Sequence, residues 1–178
     1  MAHLLIVEDD ELLRDGLSAQ LMQAGHRIDT AADGEQALAC LQNDAFEGVV
    51  LDLGLPDGSG VDVVAALRES QPEAQSVVVT IHDDDDHLFP ALQCGADGYL
   101  LKEHRFELLV EELQKIVRGQ PPLSPAIARR LLSHFRQGGP SESAPSPQPS
   151  ARSGVADTNS SLARCIHSTA FAHKPFLT

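Results

Sequence analysis

Five short, mostly apolar runs, each followed by a helical pattern, constrain this chain more than any other feature. The runs are His3–Val7, Arg27–Ala31, Val49–Asp52, Val77–Ile81 and Gly98–Leu101. Four of them are nearly continuous in apolar character, which suits strands covered on both faces. Arg27–Ala31 is more polar and suits the edge of a sheet. Between and after the runs, apolar residues recur at helical spacing: Leu13, Leu17 and Leu21; Ala37, Leu38 and Leu41; Val63, Val64 and Leu67; Leu88, Ala91 and Leu92. Phe106, Leu109, Val110, Leu113 and Val117 make the clearest amphipathic face. Gly25, Asp33-Gly34, Pro56-Asp57-Gly58 and Gly95 punctuate the joints. The order βαβαβαβαβα predicts a doubly wound α/β fold, a parallel five-stranded sheet with helices on both faces.

That pattern accounts for residues 1–120 and stops at Pro121. Ser124-Pro125 reads as an N-cap followed by proline at the first helical position. A linker helix over 121–136 follows, with Ile127, Leu131, Leu132 and Phe135 as its apolar side. Gln137–Ser150 then holds four prolines, four serines and two glycines in 14 residues, the composition of a linker. Ser161–His173 carries a faint stripe (Leu162, Ile166, Ala170) too short to hold a core. Residues 137–178 are therefore expected to form a disordered or truncated tail.

Charge narrows the function classes. The chain of 178 residues has a formal net charge of −13, which argues against a general nucleic-acid-binding surface. The acidity belongs to residues 1–120, with 24 acidic and 7 basic side chains. No apolar run is long enough for a membrane span, and the N-terminus has no signal-peptide pattern. Cys40, Cys94 and Cys165 form no CxxC pair, so free thiols and a cytoplasmic location are expected.

In an open α/β sheet, ligands bind beyond the carboxyl ends of the strands. Glu8, Asp9 and Asp10 follow the first strand, Asp52 ends the third, Thr80 closes the fourth and Lys102 follows the fifth. Crowded carboxylates are relieved by a hard cation, and Mg²⁺ takes one or two carboxylates while keeping water and phosphate oxygens. An aspartate can act as nucleophile toward phosphorus. A transferring phosphoryl group needs a metal, a cation and a hydroxyl donor. Asp52, Mg²⁺, Lys102 and Thr80 fill those roles.

These residues sit in IVEDDELLRDGL (6–17), VVLDLGLPDGSG (49–60) and VVVTIHDDDDHLFPALQCGADGYLLKE (77–103). Over residues 2–120 the chain resembles the receiver domain of two-component response regulators. It most resembles the NarL/LuxR group, whose output is a helix-turn-helix. The resemblance implies a flavodoxin-like (βα)5 sheet in the order 2-1-3-4-5. It implies Asp52 as phosphoacceptor for a sensor histidine kinase, and Mg²⁺ held by Asp9, Asp52 and the Gly54 carbonyl, with Glu8 acting through water. Asp10 lies beyond the acidic pair and stays outside the first shell. The resemblance further implies Thr80 as switch hydroxyl, Tyr99 as switch aromatic and Lys102 as the lysine that pairs with phosphate. The face of the fourth helix, fifth strand and fifth helix becomes the readout surface, open to a homodimer. A receiver is a phosphoacceptor rather than an enzyme with turnover, at most dephosphorylating itself slowly.

Several positions depart from the family pattern or invite other readings. Glu103 stands where many receivers have proline, so a cis-proline does not carry over. Pro90 predicts a late or kinked fourth helix. Gly54 and His82 occupy positions that tune phosphate lifetime in the family. The Asp83–Asp86 run reads as helix capping and dipole matching. His82 and His87 lack the i, i+4 spacing of a zinc pair, and Gly58-Ser59-Gly60 lacks a Walker lysine. Arg129 and Arg130 read as solvent-facing. Ala151–Thr178 shows no helix-turn-helix core, which leaves direct DNA binding doubtful. The alternative is a transcriptional regulator with a cryptic or truncated output in 125–178. A phosphoaspartate hydrolase of the haloacid dehalogenase kind would need Asp-x-Asp, and Gly54 replaces its second aspartate.

Overall fold

A computed structural model describes residues 1–58, 60–102 and 106–137. Strands β1 (His3–Val7), β2 (Arg27–Ala31), β3 (Gly48–Leu51), β4 (Gln75–Thr80) and β5 (Gly98–Leu101) alternate with helices. The helices are α1 (Glu11–Gln23), α2 (Gly34–Asn43), α3 (Gly60–Ser70), α4 (Asp85–Gln93), α5 (Phe106–Leu113) and α6 (Pro125–Gln137). The strands form one sheet in the order β2-β1-β3-β4-β5, and every pairing is parallel. This is the predicted doubly wound, flavodoxin-like topology. The order reverses between β1 and β3, the switch point where such sheets bind ligands.

Alternation along each strand explains why the runs read as continuously apolar. Leu5, Val7, Val49, Leu51, Val78, Tyr99 and Leu101 face one layer, with α2, α3 and α4. Leu4, Ile6, Val50, Val77, Val79 and Leu100 face the other, with α1 and α5. Both faces are covered, so neither tolerates polar side chains. β2 has one neighbour and keeps Arg27 and Thr30 exposed, as an edge strand does.

Strand ends differ from the sequence reading by one or two residues. β3 runs from Gly48 to Leu51, which leaves Asp52 just outside it. β4 starts at Gln75 and ends at Thr80; Ile81, read as strand, is 69% exposed in the following loop. Apolar character alone could not separate a strand residue from an apolar loop residue. The fifth helical stripe is also interrupted. α5 stops at Leu113, and Val117 lies in a single 3-10 turn over Ile116–Arg118, closed by Gly119 at φ 69°. α4 starts at Asp85, capped by the Asp84 carboxylate, so it does not start late. Pro90 sits inside it and forgoes the amide bond to the Asp86 carbonyl. The capping role expected of the Asp83–Asp86 run falls to Asp84, which accepts the His87 N–H at 3.0 Å.

The segment after residue 120 folds back on the sheet. Tyr99 N–H donates to the Pro122 carbonyl and Ser124 N–H to the Tyr99 carbonyl, both at 3.0 Å. Leu123 thereby bridges Tyr99 in parallel and covers part of the open edge of β5. Ser124 was expected to cap α6. It stands at that position, with Pro125 first in the helix and the Ser124 carbonyl accepting the Ala128 N–H at 2.9 Å, while its hydroxyl accepts the Leu101 N–H at 3.2 Å, because a buried strand amide needs a partner. In α6, Ile127 is buried in the same layer as Tyr99, with Leu131 packed against it, whereas Leu132 and Phe135 are exposed. The helix meets α4 through Arg130 and Asp85 (3.6 Å) and through the rings of His134 and Phe89 (4.2 Å). Arg129 is exposed as expected, but Arg130 is engaged. Cys40 is a free thiol. Cys94 is buried in the layer of α3 and α4. Cys165, Glu103 and the tail 138–178 lie outside the described residues.

One exposed carboxylate clamps the loop that follows β3. Asp57 accepts the Gly34 N–H at 2.9 Å and the Glu35 N–H at 2.8 Å, two free amides at the start of α2. These bonds, Gly34 first, hold its carboxyl below the usual aspartate range. A folded-state pKa below the unfolded one contributes stability that is present above the unfolded pKa. That stability is lost as pH falls through the folded value. The urea midpoint of an Asp57→Asn variant is expected to lie below that of the parent at neutral pH, with the gap closing below about pH 4.

Candidate functional site

The site forms where four strands end at one rim. The loop after β1 carries three acidic residues with three different fates. Asp10 caps α1, its carboxylate accepting the Leu13 N–H at 3.1 Å, so it belongs to the helix, as expected from its place beyond the acidic pair. Glu8 is buried at 3% exposure, with one oxygen accepting the Asp10 N–H at 3.1 Å. Its backbone carbonyl accepts from the Arg14 guanidinium at 2.9 Å. Asp9 is exposed.

Asp52 stands at the end of β3, its own N–H bonded to the Val7 carbonyl at 3.0 Å. That bond continues the sheet ladder and fixes the backbone that aims the carboxylate. One carboxylate oxygen accepts the Gly54 N–H at 3.2 Å, and the other accepts from Lys102 Nζ at 2.8 Å. One carboxylate oxygen from each of Glu8, Asp9 and Asp52 lies within 4.8 Å of the others.

Lys102 bridges the two buried carboxylates, with Nζ 2.8 Å from both Glu8 and Asp52. Burial pulls its pKa down, but hydrogen bonds and charge from Asp52 and Glu8 outweigh this and lift it. For Glu8, burial pushes the pKa up, and the Lys102 hydrogen bond and charge only partly oppose it. The ammonium is therefore firmly cationic, and one of its two carboxylate partners is held by an unfavourable, partly dehydrated environment. Three clustered hard oxygen donors with a single bridging ammonium suit a small divalent cation, which prefers such ligands. The residues present fit that group.

Thr80 is fully buried, and its hydroxyl oxygen accepts the His82 N–H at 3.3 Å. Its carbonyl accepts the Lys102 N–H at 2.9 Å, tying the ends of β4 and β5 together. Tyr99 is also fully buried and donates its hydroxyl to the His82 carbonyl at 2.9 Å. Burial, then the charges of Asp84 and Asp52, push the Tyr99 phenol far up, so it acts as a hydrogen-bond donor. Thr80 and Tyr99 thus grip the same loop residue, His82, from two sides.

The structure brings Glu8, Asp9, Asp52, Gly54 and Lys102 into one constellation and sets Thr80 and Tyr99 behind its loop. Two further residues belong to it. A Cβ on Gly54 would lie 3.8 Å from both Asp52 oxygens and from His82 Nε2, so the carboxylate and the imidazole both border the space beside Gly54. The position of His82 two residues after Thr80 was the available signal. A Cβ on Gly60 would stand 2.4 Å from the Asp52 carbonyl oxygen, so only glycine lets α3 approach this strand end. No periodicity points to that glycine.

Comparison with known proteins agrees with this geometry. Residues 4–114 match the family model of the response regulator receiver domain. The oxygen regulatory protein NreC of Staphylococcus carnosus is 30% identical over 135 residues, covering 74% of this chain and 62% of NreC. The chain thus spans a little under two thirds of that curated relative. A solved LuxR-family two-component response regulator from Aurantimonas superposes with a TM-score of 0.68 at 26% identity. It covers 75% of this chain and 97% of its own. The BeF3-activated DrrB receiver domain superposes at 0.60 with 30% identity, covering 66% of this chain and 98% of that one. No helix among the described residues is long and apolar enough to cross a membrane. With the sheet order, the acidic rim and a family match over most of the described residues, the chain belongs to the response regulator receiver domain family of two-component systems.

Proposed function

We propose that Asp52 accepts a phosphoryl group from the phosphohistidine of a sensor histidine kinase, and that the bound phosphoryl resets the loop after β4. The observation that carries this reading is the Lys102 bridge from Glu8 to Asp52, with the carboxylate of Asp9 alongside. An Asp52 carboxylate oxygen attacks phosphorus, the new O–P bond forms, and the N–P bond to the donor imidazole breaks. Asp9, Asp52, the Gly54 carbonyl and, through water, Glu8 would hold Mg²⁺, which offsets charge on the phosphoryl oxygens. Lys102 supplies the fixed positive charge. It can turn from carboxylate to phosphoryl oxygen without leaving its pocket.

The Thr80 hydroxyl, whose oxygen accepts the His82 N–H, keeps its own hydrogen to donate to the same group, so its movement toward the phosphoryl oxygens draws His82 along. Tyr99 holds the His82 carbonyl and so follows that loop. This is a two-state element biased by new phosphate contacts. The readout surface is the face of α4, β5 and α5. Residues 122–124 and α6 already lie against β5 and α4 there, so a partner or second copy competes with or reads α6. Transcription regulation, which the name of the transcriptional regulatory protein DegU of Brevibacillus brevis carries, enters here as an expectation for the longer signalling pathway. The chain itself acts as phosphoacceptor, without turnover of an external substrate.

Intact-mass spectrometry after incubation with acetyl phosphate and Mg²⁺ tests the proposal. A labile single-phosphoryl adduct, absent when Mg²⁺ is chelated, is expected. An intact fold that gains no adduct would overturn it. Lys102→Ala is expected to stay folded and accept phosphate slowly, while losing the phosphate-dependent change in partner or dimer affinity. Sedimentation of labelled and unlabelled variant reads this directly: equal phosphate-induced shifts in variant and parent would contradict it.

A further inference from the structure

We propose a second metal site, for a divalent transition ion of the zinc class, formed by His82, Asp84 and His87 at the start of α4. The sequence spacing argued against a zinc pair because the two histidines do not share a helical i, i+4 face. The loop solves this differently. His82 precedes the helix, Asp84 is its N-cap, and His87 sits in its first turn. One ligand atom from each of the three lies within 4.8 Å of the others. His87 Nδ1 is 2.6 Å from one Asp84 oxygen, and His82 Nδ1 is 3.9 Å from the other. Two donors around a tetrahedral zinc ion with bonds of about 2.0–2.1 Å stand roughly 3.4 Å apart, so small side-chain adjustments suffice.

The donor set is two imidazole nitrogens and one carboxylate, with room for water as a fourth ligand. Imidazole selects zinc, copper or nickel, whereas the all-oxygen set of Glu8, Asp9 and Asp52 selects magnesium or calcium. The two sites are neighbours with opposite preferences. Asp84 is positioned before any ion arrives. It accepts both the backbone and the ring nitrogen of His87, and the His87 hydrogen bond holds its carboxyl below the usual range. The two imidazoles stack at 4.0 Å with 7° between their planes. A metal lies in the plane of each ligating ring, so one ring must swing out of the stack. Both rings are partly exposed, 33% for His82 and 43% for His87, and free to do so. His82 is the residue gripped by Thr80 and Tyr99, so the ion would tie that loop to α4.

The test is titration of the full chain with Zn²⁺ by calorimetry at neutral pH in millimolar Mg²⁺, with Co²⁺ absorption reporting coordination geometry. One equivalent is expected to bind in the presence of Mg²⁺. Affinity is expected to fall about tenfold or more in His82→Ala, His87→Ala and Asp84→Asn. Asparagine caps a helix as well as aspartate, so Asp84→Asn removes the ligand charge and keeps the start of α4. Asp52→Asn is expected to bind Zn²⁺ as the parent does, which makes the result independent of phosphotransfer. Zn²⁺ affinity unchanged in folded His82→Ala and His87→Ala would place the ion elsewhere in the chain and overturn the proposal. Displacement of Zn²⁺ by Mg²⁺ would do the same.

Discussion

An Asp52→Asn variant is expected to lose labelling by acetyl phosphate by at least about 10³-fold, the scale on which removing a covalent nucleophile acts. The amide has no carboxylate oxygen to form the acyl phosphate, and no neighbour can replace it. Glu8 is buried against Lys102 and Asp10, and Asp9 is exposed to solvent. The fold is expected to survive. Asparagine still offers an oxygen to the Gly54 N–H, and Lys102 keeps its 2.8 Å partner in Glu8. Removing one of two close carboxylates also relieves their repulsion, so the urea midpoint should hold or rise. Mass spectrometry and a urea titration on the same sample separate loss of chemistry from loss of structure. A variant that is labelled as fast as the parent would move the acceptor away from Asp52.

The second large effect is expected at a residue with no chemistry. Gly60→Ala puts a Cβ 2.4 Å from the Asp52 carbonyl oxygen, 2.8 Å from Leu51 Cδ1 and 3.0 Å from Leu53 Cα. Two of these three are backbone atoms that cannot rotate away. Either α3 retreats or the end of β3 shifts, and the shift carries Asp52 away from Lys102. Overpacking of this kind costs about 1–3 kcal/mol, and rigid backbone neighbours put Gly60 at the upper end. Labelling is expected to slow together with the fall in stability. Gly34→Ala is the milder comparison: its Cβ would meet only the Asp57 side chain, at 3.2 Å, and a small shift of that carboxylate weakens its bonds to the α2 amides without moving a strand. A Gly60→Ala variant with the parent's urea midpoint and labelling rate would show that α3 does not press on the acceptor.

Most of the site was legible because Glu8, Asp9, Asp52, Thr80 and Lys102 end a strand or come directly after one. An apolar run that ends in Asp52, Thr80 or Lys102 announces both the strand and the rim it points to. The weakest readings were those where apolar character served two purposes. Ile81 looked like strand and is loop; Val117 looked like helix face and is a turn. Leu132 and Phe135 looked like the buried side of α6 and are exposed, while Ile127 alone is deeply covered. Side-chain hydrophobicity reports what can be buried, and partner geometry decides what is.

The chain's resemblance to receiver domains implied the acceptor and switch roles, which are proposals here; the sequence by itself determined the parallel α/β architecture and the acidic residues, threonine and lysine at the strand ends. Those follow from local periodicity and from residue types whose chemistry is the same in any surroundings. Only the tertiary structure decided that Lys102 spans Glu8 and Asp52, that the Ser124 hydroxyl serves β5 while its carbonyl starts α6, and that Gly60 must lack a side chain. It alone brought His82, Asp84 and His87 together around one point. Each of these depends on distances across elements far apart in the chain, or on the path of a loop. No local pattern encodes such distances, because they are set by how the layers close on one another.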